Sequence, residues 1–211
     1  LMSTAVPQLE DLGEEGDGYY PVLRQGAGLA NVGAAVSADS YILMGEDATK
    51  SYADGKIKAE LGDDPERTGV YEMTFEVVNF SDSDKTYTLD TTVLGQTAQG
   101  GQFKHGKVTY LVSDYARELD AAVTSSAANG TITVPANSTA KVSVTVILSD
   151  ADKAYMDERF PYGSYVEGFV QLLSEDNVTL SVPFLAFYGD WTEAPIVDAG
   201  DYSDLLNGKD S

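Results

Sequence analysis

Hydrophobic and polar positions alternate most regularly in two runs near the C-terminal end of the chain. In Ser164 to Leu173, Val166, Gly168, Val170 and Leu172 fall on one face and Tyr165, Glu167, Phe169 and Gln171 on the other. In Val178 to Tyr188, Val178, Leu180, Val182, Phe184, Ala186 and Tyr188 alternate with Thr179, Ser181, Pro183, Leu185 and Phe187. A period of two sustained this long predicts strands half-buried in a sheet, and the Ser-Glu-Asp-Asn between the runs is turn chemistry. Burying the large inward side chains of the second run contributes about 1.5–3 kcal/mol each, before entropy costs. The other face is unusual for a solvated one. Tyr165, Phe169, Leu185 and Phe187 are too apolar to be left to water without reason.

The same alternation recurs upstream. Short strands are expected at Lys56 to Leu61 and Val108 to Val112, with longer ones at Val70 to Phe80, Lys85 to Leu94 and Lys141 to Leu148. Ala121 to Thr124 and Thr131 to Val134 are placed to pair with each other around Ala128-Asn129-Gly130. Ser149 to Glu158 breaks the pattern as a short helix: Ser149 is its cap, Asp150 and Asp152 lie in its first turn, and Phe160-Pro161 ends it. About seven or eight strands at this spacing predict an all-β, antiparallel β-sandwich.

Residues 1 to about 40 have a different texture. Leu1 to Ala5 resemble the end of an apolar helix stopped by Pro7, and Leu9 to Gly18 form an acidic loop punctuated by Gly. Pro21 to Val36 is a Gly-rich turn feeding a short helix of small residues. Such a helix is marginal alone in water, so the segment is built to pack against something else.

Composition narrows the function classes. With 13 Lys plus Arg against 34 Asp plus Glu the formal charge is −21, which repels nucleic-acid phosphates and anionic headgroups and also suits a solvated extracellular surface. The chain has no Cys, so disulfides, thiolate metal sites and Cys nucleophiles are excluded. No run approaches the about 18 apolar residues of a membrane span. The N-terminus lacks the basic-then-apolar pattern of a signal peptide, and Leu-Met-Ser-Thr-Ala starts as if cut from a longer chain.

Candidate chemistry is sparse. The only histidine, His105, lies between glycines in Gly100 to Gly106, an expected solvated loop. Gln25-Gly-Ala-Gly28 follows no suitable strand and precedes no Lys, so it is not a phosphate loop. Paired carboxylates are common in so acidic a chain and define no glycosidase site. No cofactor is expected. Asp63-Asp64, Ser81 to Asp84 and Asp150 with Asp152 offer the hard oxygens a structural calcium ion would use, without a pattern that fixes ligands. Sequons at Asn79, Asn129, Asn137 and Asn177 matter only in a host that glycosylates them.

Two stretches carry a family resemblance. LMSTA followed by PVLRQGAGLANVGAAV resembles the C-terminal end of the catalytic domain in the cell-envelope group of subtilisin-like serine proteases, which includes lactocepin and complement-cleaving streptococcal peptidases. Tyr165-Val-Glu-Gly-Phe169, Ser181-Val-Pro-Phe184 and Phe187-Tyr-Gly-Asp-Trp191, followed by Ala194 to Asp198, resemble the fibronectin type III-like domain that comes next in those proteins. The resemblance implies a remnant of a catalytic domain at 1–40, a fibronectin type III-like sandwich at 41–198, and a linker or further module at 199–211. The family's catalytic Asp, His and Ser would lie before Leu1, and Ser3 is not the nucleophile, so this chain is expected to have no catalytic residue. The implied role is a non-catalytic accessory part of a secreted or cell-wall endopeptidase, bracing the catalytic domain and helping to position protein substrates. The implied partner is the catalytic domain of the same parent chain, touched through Tyr165, Phe169, Leu185 and Phe187. A free-standing adhesive or carbohydrate-binding module is the alternative, and it leaves LMSTA and RQGAGL without a purpose.

Overall fold

The two alternating runs form adjacent antiparallel strands, β11 (Ser164–Leu173) and β12 (Leu180–Tyr188), in register from Ser164 opposite Tyr188 to Leu172 opposite Leu180; for labelling, ten strands precede them. The computed structural model describes residues 1–11, 17–45, 56–103 and 106–193. In chain order the earlier elements are a 3-10 turn (Met2–Thr4), β1 (Leu9–Asp11), β2 (Asp17–Tyr19), α1 (Val22–Gln25), α2 (Val32–Ser37), β3 (Ser40–Leu43), β4 (Ala59–Asp64) and β5 (Val70–Asn79). Next come β6 (Lys85–Phe103), β7 (Gly106–Glu118), β8 (Ala121–Ser125), β9 (Thr131–Val134), β10 (Ser138–Leu148) and α3 (Asp150–Arg159).

One sheet has the order β3-β5-β10-β8, and the second β4-β12-β11-β6-β7 with β9 beside β6. Their inner faces meet in one core. Tyr71, Met73, Phe75 and Val77 of β5 and Val142, Val144, Val146 and Leu148 of β10 face Val166, Val170 and Leu172 of β11 and Leu180, Val182, Phe184, Ala186 and Tyr188 of β12. These are the inward positions of the predicted alternation, and the expected β-sandwich is what forms.

Four details depart from the expectation. The two sheets hold ten strands among the described residues, more than the seven or eight expected, and β3 is the one that no predicted run covers. β8 and β9 do not pair with each other: β8 lies along β10, β9 along β6, and a single bridge from Ala128 to Thr131 remains between them. The turn at Asn129-Gly130, both with positive φ, thus carries the chain from one sheet to the other. β4 starts at Ala59 and pairs with β12 in parallel, with a register shift between Leu185 and Ala186. β6 runs on past Leu94 to Phe103, and beyond Gly95 its partner is β7 alone.

The helix α3 is capped as its sequence predicts. The Ser149 hydroxyl accepts the N–H of Asp152 at 3.1 Å, and Asp150 and Asp152 occupy the first turn. Met2 to Thr4 is only one 3-10 turn, in which Ser3 and Thr4 are buried.

Candidate functional site

The outer face of the second sheet, where the alternation places unexpected apolar residues, is covered in part by the N-terminal segment and by Trp191. Cross-strand pairing sets Tyr165 beside Phe187, Glu167 beside Leu185 and Phe169 beside Pro183. Phe169 is fully buried and packs with Leu94, Ala116 and Val22, and its ring centroid lies 5.9 Å from that of Tyr19. Tyr19 and Val22 belong to the N-terminal segment. The segment that sequence describes as in need of a surface therefore has one, and Phe169 is its anchor point.

Next to Phe169 the Glu167 carboxylate, 1% exposed, accepts the backbone N–H of Leu23 at 3.0 Å. Burial pushes this carboxyl up from its usual range to about 7, against the opposing pull of the Leu23 and Val22 N–H groups. The sequence shows Glu167 only as a polar residue in alternation. Its burial comes from a segment 144 positions earlier, which no local pattern reports.

At the other end of the face three rings form a cluster. Trp191 stacks on Phe187 at 4.5 Å with an interplanar angle of 17°, and Tyr165 meets both edge-on at 5.3–5.4 Å. Gly163 makes room for them, since a Cβ there would lie 2.5 Å from the Phe187 ring. Phe187 is buried, Tyr165 and Leu185 are half-buried, and Trp191 is half-exposed. Of the four candidate contacts, Phe169 thus lies under the N-terminal segment, Tyr165 and Phe187 under Trp191, and Leu185 between the two groups.

The N-terminal segment is held in shape by its own polar staple. Gln25 accepts the N–H of Gln8 at 2.7 Å through its side-chain oxygen and donates to the carbonyls of Tyr20 at 2.6 Å and Gln8 at 3.3 Å. Val6 and Leu29 exchange backbone hydrogen bonds of 2.8–2.9 Å. This close pass requires Gly28, whose φ is 103° and where a Cβ would stand 2.2 Å from the Val6 carbonyl oxygen. Replacing Gln25 with Ala is expected to weaken the segment by about 1–3 kcal/mol. The check is hydrogen exchange: the Gln8 amide should exchange faster while amides of β11 keep their protection.

One side of the segment remains open. Leu23, Leu29, Val32 and Val36 are 51–80% exposed, and Val32 and Val36 are one helical turn apart on α2. Four large apolar side chains on so short a stretch are thus left to solvent, while Val22 meets Phe169.

The other candidates are accounted for locally. Asp64 accepts the N–H groups of Thr68 at 3.0 Å and Gly69 at 2.8 Å, Asp84 that of Ala136 at 2.9 Å, and Asp150 pairs with Lys153 at 2.9 Å. Asp152 is buried between the Asp120 N–H at 2.7 Å and the Ser149 hydroxyl at 2.8 Å. Among the described residues no group of three or more His, Cys, Asp or Glu is placed to hold a metal ion. The Asn79 amide is buried and bonded to the Ser83, Val134 and Pro135 carbonyls. His105 and residues 194–211 lie outside the described residues. Among those described, no helix is long and apolar enough to cross a membrane.

The two packed sheets define a β-sandwich domain. The Fn3-like domain family matches residues 60–185, more than half of the chain, and the chain belongs to that family. Among curated proteins, the PI-type proteinase of Lactococcus lactis subsp. cremoris is 29% identical over 176 residues, 83% of this chain and 8% of that proteinase. The PII-type proteinase of Lacticaseibacillus paracasei matches at the same identity and coverage. The C5a peptidase of Streptococcus pyogenes serotype M1 is 25% identical over 218 residues, 100% of this chain and 16% of that peptidase. The resemblance to cell-envelope subtilisin-like proteases drawn from LMSTA, RQGAGL and the closing strands is borne out. The chain spans only 8–16% of the length of these relatives, and the match to the C5a peptidase takes in the N-terminal segment as well as the sandwich.

Proposed function

We propose that this chain is a non-catalytic accessory part of a secreted or cell-wall subtilisin-like serine endopeptidase, and that it braces the catalytic domain and helps position protein substrates beside its cleft. The observation that carries the reading is the two-sided N-terminal segment. One side is fastened to the sandwich through Phe169 and Glu167, and the other presents Leu23, Leu29, Val32 and Val36 to solvent. An apolar side of this kind calls for a cover. The occupant is the body of the catalytic domain from which the segment descends, so the segment is a seam belonging to both domains. The proteinase relatives support this, since in each the matching region is a small part of a far larger chain. An extracellular location follows from the same reading.

The test uses the intact parent protein. Val32→Glu with Val36→Glu places two charges on the open side without touching the sandwich. The expected result is a lower unfolding temperature of the catalytic domain and reduced proteolysis of a protein substrate, with this chain's own stability unchanged in isolation. A parent protein carrying both substitutions that remains as stable and as active as the wild type would overturn the proposal.

A further inference from the structure

Glu167 is a fully buried carboxyl at the contact between the N-terminal segment and the sheet. Pairing across the sheet puts it in a row that runs Glu60 on β4, Leu185 on β12, Glu167 on β11, Leu94 on β6 and Glu118 on β7. Leucines therefore flank it on both sides, and Val22 and Leu23 form its roof. The charged and titratable groups around it stand further off. Glu60 at one end of the row is ion-paired with Lys58, and Glu118 at the other end is exposed. On the roof Arg24 lies over the Tyr20 ring at 5.8 Å, and Tyr19 packs on Phe169. Along β11 the Tyr165 phenol is pushed up by burial first and by the Glu167 charge second. What touches the carboxylate directly is backbone N–H, that of Leu23 at 3.0 Å and that of Val22, dipoles and not cations.

We propose that Glu167 is a pH-sensitive latch: the N-terminal segment docks on the outer face with this carboxyl protonated and is released as it ionises. Docking removes water from the carboxyl and supplies apolar walls with only the Leu23 and Val22 N–H dipoles in exchange, less than a full negative charge loses with its water. When the segment lifts, water returns and ionisation is unopposed. The docked state thus binds the proton more tightly than the released state. Docking is strongest below the ordinary carboxyl range near 4.5 and weakens as the pH rises through about 7. Over that window the docking equilibrium shifts on the order of a few hundred-fold. This is a property of the present chain, independent of whether the segment's other side meets a catalytic domain.

The experiment is hydrogen exchange of the 211-residue chain from about pH 5 to about pH 8.5, each rate corrected for the intrinsic pH dependence of exchange. The amides of residues 19–25 should lose protection as the pH rises while those of β11 and β12 do not. Glu167→Gln, an isostere of the protonated carboxyl, should keep the segment protected at every pH. A wild-type profile that is flat, or a Glu167→Gln profile that follows the wild type, would sink the latch. Should the variant fold poorly, a carbon NMR titration of the glutamate carboxyls in the wild type decides the matter. A Glu167 midpoint near 7 supports the latch, and one below about 5 overturns it.

Discussion

Replacing Gly168 with Ala is expected to prevent the sandwich from forming, or to cost more than about 4 kcal/mol if it still folds. Gly168 sits mid-strand in β11, opposite Val93 on one side and Phe184 on the other. A Cβ at this position would stand 2.0 Å from the Thr92 carbonyl oxygen and 2.7 Å from the Phe184 ring. Neither neighbour has room to yield. Thr92 is held by the β6–β11 ladder, and Phe184 is 1% exposed inside the core. Relief would require β6 and β11 to separate at the centre of the sheet. Chemical denaturation measures the loss, with Gly130→Ala as the comparison. Gly130 also has a positive φ of 75° but nothing within 4 Å of its added Cβ, so about 1 kcal/mol is expected there. A Gly168→Ala chain as stable as Gly130→Ala would show that the close approach is not binding on the fold.

The second large effect is expected at Phe169. Truncation to Ala should cost about 3–5 kcal/mol, the usual range for a fully buried phenylalanine. The loss should also be unevenly distributed. Phe169 belongs to a small cluster with Leu94, Ala116 and Val22, separate from the main core between the sheets. Phe169→Ala is therefore expected to free the N-terminal segment while the two sheets remain packed. Exchange of the amides of residues 19–25 should approach that of unfolded peptide, with the β5 and β10 amides still slow. Phe169→Leu, which keeps apolar surface in the site, should give a smaller loss. Uniform loss of protection across the sandwich would mean that the segment and the sheets unfold as one unit.

How far these features are legible in the sequence depends on the range of the interaction behind them. The inward faces of β5, β10, β11 and β12 are plain because alternation is a local property, and every second residue from Tyr71 to Val77 and from Val142 to Leu148 lies in the core. Alternation says which face a residue takes and not which strand lies beside it. That is why Ala121 to Thr124 and Thr131 to Val134 were expected to pair around Asn129-Gly130, when Ile132 and Val134 instead carry β9 to the opposite sheet. β6 is legible only to Leu94 because Gly95-Gln-Thr-Ala-Gln-Gly-Gly101 offers no apolar alternation. The outer face is half-legible. Tyr165, Phe169, Leu185 and Phe187 mark it as covered, but Glu167 looks like an ordinary solvated position. Its role depends on α1 arriving from the far end of the chain.

The parallel pairing of β4 with β12 has a mechanical consequence. Five residue pairs join them, from Phe184 beside Ala59 to Tyr188 beside Asp64. A force applied between the first residue of β4 and the last residue of β12 pulls the two strands in opposite directions along a shared axis. The hydrogen bonds of that ladder then bear the load together, in shear, whereas an antiparallel pair pulled from one end opens one bond at a time. Pulled between those two residues, this pair of strands resists extension as a single unit.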